Sequence, residues 1–355
     1  PAWDKAHRAA RKFVAQGYQK MLTFQHVGGG FALYPPDSQR AWHRPDPMLT
    51  AYGLMQLQEM STVYPVDPDV MARAARWLTA QQNASGTWPV YAGRTPGGKW
   101  RQGDDAAQLR ATAFIAWALL KTPTVTEHQG ALKKALDHLV TETGETGAPD
   151  TLAWIIAALH AGGRQAPALN VAERLVTQVR RDKDRVWWAP SAPSWMGGRG
   201  HYADVEATAL AAWALLTLEQ HGELLQPALR YLAQSRSPYG GWGTTQATVW
   251  ALRAFEKLRA IDSDGPVALT VRLQGEPWAE DLPPAGAQPG QVTLTPGDAR
   301  VRRFNAGSLD GGGQRVQISA SRSTAAMARG SALFAVPWDA PEARVDGERL
   351  DLSLS

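Results

Sequence analysis

The chain has 355 residues, enough for one large domain or for a domain with an appendage. Its 44% apolar and 20% charged content suits a water-exposed globular protein, and no run approaches the roughly 20 uninterrupted apolar residues of a membrane helix. A formal charge of +4 with Lys and Arg scattered among acids is a solvated mixed surface rather than a nucleic-acid footprint, and the absence of cysteine excludes disulfides, thiolate metal sites and a cysteine nucleophile within this chain.

The chain opens on Pro1-Ala2-Trp3-Asp4 with no signal-peptide pattern, which reads as a cut inside a longer protein. From there two kinds of helical run alternate. Ala6 to Gln25, Asp69 to Gln82, Gln129 to Glu142, Pro167 to Arg180 and Gly222 to Gln234 mix apolar and charged residues at helical spacing, so each predicts one dry and one wet face. Between them lie runs too apolar for a surface helix: MLTAYGLMQLQEM from Met48, LRATAFIAWALLK from Leu109, APDTLAWIIAALH from Ala148, DVEATALAAWALL from Asp204 and TQATVWALRAFEKL from Thr245. Each carries a threonine near its start, at Thr50, Thr112, Thr151, Thr208 and Thr248, where an N-cap or first-turn role is expected.

The repeating unit is therefore amphipathic helix, turn, buried helix. The turns HVGGGFALYP, NASGTWPVY and SPYGGWGTT place glycine before Phe31, Trp88 or Trp242, so the aromatic ring is expected to fold back onto its helix pair. Hairpins that cannot close a core alone must stack. With greasy inner and two-faced outer helices they predict a mainly α protein, an α/α toroid, over residues 1–262. Such rings usually have six hairpins and five are counted, so the missing inner helix is expected upstream of Pro1.

From Pro266 the pattern changes to period two. VALTVRLQG, GQVTLTPG, ARVRRFNAG, QRVQISAS and SALFAVPW alternate between Gly, Pro and Asp turns, with a last hairpin signal at Asp346-Gly347. These predict an antiparallel β-sandwich region over residues 263–355, with the boundary near Ile261 to Gly265.

Little overt chemistry is visible. His128, His138 and His160 sit on or near helices without a His-Glu-x-x-His pattern, so a packing or surface role is expected and no metal site. Asp104-Asp105 and Asp204 with Glu206 are the carboxylates most like catalytic acids, lying just ahead of buried helices; stabilising a helix N-terminus is their simpler role. No P-loop and no Gly-x-Ser-x-Gly elbow is present. Trp117, Trp154, Trp213 and Trp250 are expected to pack in the core.

The stretches GYQKMLTFQHVGGGFALYP, LTAYGLMQL, DVEATALAAWALL and YGGWGTTQATVWALRAF together resemble the thioester-containing domain of the alpha-2-macroglobulin and complement family, in order and approximate spacing over Ala6 to Leu258. The style of the tryptophan-rich turns suggests a bacterial member, and the β-rich tail falls where that family has part of a CUB domain. The resemblance implies a fragment of a protease-trapping inhibitor, not an enzyme, with target proteases and the other macroglobulin domains as partners. It implies neither nucleic acid nor a cofactor. The periplasm or the extracellular space would be its location, with membrane anchorage of the full-length protein left open.

The family's thioester Cys and Gln would lie before Ala6; either they were cut away with the first inner helix or the chain is a thioester-less relative that traps by conformation alone, and in both cases this chain carries no catalytic residue and should form no covalent adduct by itself. Some members place a histidine beside the thioester on the loop before the second buried helix. Here that loop is WPVYAGRTPGGKWRQGDD, where Tyr91 and Arg94 fall nearest the matching place; without histidine, amines should be preferred over hydroxyls. Two alternatives remain open. Terpene cyclases have turns much like QQNASGTW, although their acidic motifs are absent and Asp204 to Thr208 is the nearest approach. Protein prenyltransferases would need a zinc-binding cysteine, and a non-catalytic interaction scaffold needs no motif at all.

Overall fold

The computed structural model describes residues 2–37, 44–91, 105–142, 147–190, 192–194, 198–237 and 240–261, and beyond them the strands at 267–273, 276–277, 291–294, 316–320 and 352–354. The chain divides into two compact units, Pro1–Ala254 and Phe255–Ser355.

The first unit is helical. Its amphipathic helices are α1 (Ala2–Leu22), α3 (Pro68–Ala80), α5 (Gln129–Glu142), α7 (Gln165–Thr177) and α9 (Gly222–Gln234). Alternating with them are the apolar α2 (Pro47–Ser61), α4 (Asp105–Leu120), α6 (Pro149–Ala161), α8 (His201–Leu218) and α10 (Thr245–Ile261). The alternation follows the sequence pattern. On α3 only Val70, Met71, Ala74, Ala75 and Leu78 are buried, one stripe at helical spacing. On α6 every residue from Pro149 to Leu159 is buried. Proline at the first helical position and an aspartate before it start α2 and α3: Asp46 accepts from the Met48 and Leu49 amides, and Asp67 from that of Asp69.

The apolar helices touch in chain order. Tyr52 of α2 meets Phe114 of α4 with ring centroids 6.4 Å apart, Phe114 meets Trp154 of α6 at 4.7 Å, Trp154 meets Trp213 of α8 at 5.9 Å, and Trp213 meets Trp250 of α10 at 5.3 Å. The last then meets the first, because Gln246 Nε2 donates to the Tyr52 hydroxyl at 2.8 Å across 194 residues of chain, and Arg253 pairs with Glu59 at 3.1 Å. This succession is consistent with an α/α toroid.

The aromatic corners work by hydrogen bonding. The backbone N–H of Phe31 donates to Thr50 Oγ1 at 2.9 Å, that of Trp88 to Thr112 at 3.2 Å, that of Trp188 to Thr208 at 3.0 Å and that of Trp242 to Thr248 at 2.9 Å. None of the five threonines is an N-cap; Thr50, Thr151 and Thr248 lie in the first turn of α2, α6 and α10, one of the two expected places. Thr112 and Thr208 lie two turns inside theirs, and each accepts from the corner of the preceding connection. The indole N–H of Trp88, Trp188 and Trp242 donates to Leu78, Leu175 and Leu232 carbonyls in the last turn of the amphipathic helix just left. One tryptophan thus ties both helices of a pair and supplies a terminal carbonyl with its donor. Gly86, at φ +90, lets the chain pass so close to α5 that a Cβ would lie 2.6 Å from the Lys134 carbonyl.

The Trp188 corner has no glycine signature and was missed. It follows a two-stranded antiparallel hairpin, β1 (Arg180–Asp182) and β2 (Arg185–Trp187), just beyond the end of α7, where the amphipathic run had been read through to Arg180. Lys183 takes φ 52 in its turn.

The second unit contains β3 (Val267–Leu273), β4 (Glu276–Pro277), β5 (Gln291–Leu294), β6 (Val316–Ala320) and β7 (Leu352–Leu354). β3 pairs antiparallel with β4, β5 and β6, with Val271 opposite Ile318, and β7 runs parallel to β6. The expected strands ARVRRFNAG and SALFAVPW and the hairpin at Asp346-Gly347 lie outside the described residues. Among the described residues these strands form one sheet, and the parallel β7 departs from the all-antiparallel expectation.

Candidate functional site

Two layers of side chains line a small cavity at the N-terminal ends of the apolar helices. The outer layer is Met48, Arg110, Asp150, Glu206 and Gln246, one from each helix. Four residues further along the same helices come Tyr52, Phe114, Trp154, Leu210 and Trp250. Residues at i and i+4 share a helix face, so five parallel helices aimed at one axis present a polar ring above an aromatic one. The cavity between them measures about 30 Å³.

Below it the space is filled. Trp117 lies 5.3 Å from Trp154 and 5.5 Å from Trp213, and Trp154 lies 4.8 Å from Trp250, mostly in tilted or edge-to-face pairs. This is the core packing expected of the four tryptophans.

In the polar ring Arg110 Nη1 donates to Asp150 Oδ2 at 2.6 Å, with both side chains 8% exposed. Ion pairing answers the cost of burying either charge alone. Glu206 is 7% exposed, and its Oε2 has no hydrogen-bond partner among the described residues. Burial raises its carboxyl to about 7, the Asp150 charge adds to the rise, and the Ser194 hydroxyl and the Arg110 guanidinium oppose it. The backbone comes close beside it: a Cβ on Gly198 would lie 3.6 Å from Glu206 Oε2 and 2.9 Å from Ser194 Oγ. Burial likewise raises the Tyr52 hydroxyl, against its hydrogen bonds with Gln246 and Gln56.

Among the described residues, Glu206 is the one of the suspected carboxylates that lines the cavity, from the second turn of α8 rather than the first. Asp204, on the first turn of α8, is half-buried and raised by desolvation, while Asp105 is exposed on the first turn of α4 and Asp104 lies outside the described residues. Arg110, Asp150 and Gln246 escaped the sequence reading, although the signal was there. Met48, Arg110, Glu206 and Gln246 each sit two residues before their threonine, and a polar residue inside an otherwise apolar helix is the informative exception.

Tyr91 is half-buried and is not among the residues lining this cavity, and Arg94 lies outside the described residues. Of the histidines, His128 is buried with Nδ1 3.0 Å from Thr79 Oγ1 and its pKa lowered chiefly by burial, whereas half-buried His160 has Nδ1 2.9 Å from Gln165 Oε1. Among the described residues no three His, Asp or Glu side chains gather as metal ligands, and no helix is long and apolar enough to cross a membrane.

Comparison with known proteins decides the family. The family model of the A-macroglobulin TED domain matches residues 2–257. The chain belongs to that family. It is 24% identical over 261 residues to complement C3 of Oncorhynchus mykiss, covering 71% of this chain and 14% of the relative. Complement C3 of Naja naja is 27% identical over 258 residues, covering 69% and 14%. Venom factor of Crotalus adamanteus is 26% identical over 247 residues, covering 66% and 14%. The chain thus spans 14% of the length of these relatives.

Proposed function

We propose that this chain is the thioester-type domain of a bacterial protease-trapping macroglobulin, working in the periplasm or outside the cell. Its partners would be target proteases, engaged through the parent protein, and the other macroglobulin domains of that parent. The observation that carries the reading is the family match over residues 2–257, which coincides with the alternation of five apolar and five amphipathic helices. Residues 1–262 would be the thioester-type unit and 263–355 a CUB-like part.

In this reading a thioester between a cysteine and a glutamine upstream of Ala6 would be attacked by nucleophiles of a captured protease. The acyl group passes to the nucleophile's nitrogen or oxygen as the C–S bond breaks, and the cysteine leaves as a free thiol. The loop from Trp88 to Asp105 would border that thioester, with Tyr91 and Arg94 nearest to it. Having no histidine to relay the acyl group, this loop would favour amines over hydroxyls.

The packing speaks against an isoprenoid-cyclising enzyme. A pocket for a drug-sized or larger ligand needs roughly 300–1,000 Å³, whereas the axial cavity offers about 30 Å³ above a floor of tryptophan. The test uses the full-length parent protein: treatment with methylamine should release one new thiol per chain, read by a thiol-reactive chromophore. If no thiol appears, the thioester reading fails, and trapping would have to be conformational.

A further inference from the structure

Among the described residues that line the axial cavity the formal charges do not sum to zero. Arg110 and Asp150 satisfy each other at 2.6 Å, which leaves Glu206 as the remainder, 7% exposed and with Oε2 unpartnered among the described residues. A buried acceptor without a donor is costly, and such groups are ordinarily completed by a bound species. Around the same space stand Tyr52, Phe114, Trp154 and Trp250, whose ring faces attract cations. The cavity of about 30 Å³ has room for a head group of about one or two heavy atoms. A water molecule would satisfy the hydrogen bond and leave the negative charge.

We propose that this cavity is a binding site for a small primary ammonium ion, held by the Glu206 carboxylate and seated against the aromatic layer formed by Tyr52, Phe114, Trp154 and Trp250. Its N–H groups donate to Glu206 Oε2, and its charge brings the lining to neutrality. Quaternary ammonium ions are too large and carry no N–H donor. The site rests on residues of this chain alone and does not depend on the thioester reading.

Binding requires Glu206 to be ionised, so it strengthens as pH rises through the Glu206 value of about 7. The groups facing Glu206 are Asp150 from α6, which raises that value, and Arg110 from α4 with Ser194, which lower it. Tyr52 from α2 is itself raised by burial and stays protonated, and α10 contributes the uncharged Gln246 and the cation Arg253, which pairs with Glu59 and lies 4.6 Å from the centroid of the Trp250 ring.

The experiment titrates the whole 355-residue chain into methylammonium and follows its methyl proton signal, which ring currents move upfield over an aromatic surface. At about pH 8.5 the shift should saturate, and at about pH 5.5 affinity should fall on the order of 30-fold because the carboxyl is protonated. Tetramethylammonium should show no saturable shift, and Glu206→Gln, checked by near-ultraviolet circular dichroism for native packing, should abolish that of methylammonium. The absence of a saturable shift at the higher pH overturns the proposal. So does an equal shift with tetramethylammonium, or one retained in a folded Glu206→Gln. The pH and ion-size comparisons use the unaltered protein and hold even where the variant misfolds.

Discussion

Glu206 illustrates what burial does to one carboxyl. Its pKa rises from the ordinary 4.5 to about 7, so the folded state holds its proton more tightly than the unfolded state does. Below about pH 4.5 both states are protonated and the group is neutral in its effect. Between about 4.5 and 7 the unfolded chain ionises while the folded one does not, and stability falls as pH rises. Above about 7 the penalty is constant, at about 3 kcal/mol. Glu206→Gln should therefore leave stability near pH 4 unchanged and raise it near pH 8 by up to about 3 kcal/mol, as measured by urea denaturation at the two pH values. A variant with the same pH profile as the parent would show that the carboxyl is not held in this way. The identity of this residue as the axial acid was half-legible: DVEAT drew attention to it, but periodicity could not tell which of Asp204 and Glu206 points inward, because α8 is apolar on nearly every side.

The paired helices are held by a threonine on one and an aromatic corner between them. At Thr112 and Thr208 the hydroxyl accepts the buried N–H of Trp88 or Trp188. At Thr151 the hydroxyl is buried with no partner among the described residues. The same substitution should then behave differently at the three sites. Thr112→Val and Thr208→Val leave a buried N–H unsatisfied and should each cost about 1–3 kcal/mol. Thr151→Val loses no hydrogen bond and should cost less than about 0.5 kcal/mol or stabilise, all three read from denaturant midpoints at constant slope. Equal losses at all three would make the threonines simple packing residues. The regular spacing of the threonines was plain in the sequence, while their purpose was not, since a threonine near a helix start reads as a cap until its hydroxyl is seen to serve another segment.

Closure of the helical unit rests on contacts that join its two ends. Gln246 and Tyr52 meet at 2.8 Å although 194 residues separate them, and the bond joins the polar layer that holds the Arg110–Asp150 pair to the aromatic layer next to it. A double-mutant cycle of Gln246→Leu with Tyr52→Phe isolates that contact. The coupling should be about 0.5–1.5 kcal/mol, each single change costing more than its share of the double. Zero coupling would mean that the first and last apolar helices are not held together by it. Long-range contacts of this kind assemble late and at high entropic cost, which is why they are concentrated where dense aromatic packing already brings the helices together.

Sequence alone determined which segments are helical and which face each hides, because apolar periodicity is a local property written along the chain. It also carried the family, through stretches such as DVEATALAAWALL and YGGWGTTQATVWALRAF, later matched over residues 2–257. Only the tertiary structure decided that Arg110, Asp150, Glu206 and Gln246 share one ring, that four of the threonines serve the corners, and that Glu206 Oε2 has no hydrogen-bond partner among the described residues. Those outcomes depend on the rotation of five helices about a common axis. Rotation leaves no trace in a helix that is apolar on every side, because any of its faces could be turned inward at the same hydrophobic gain.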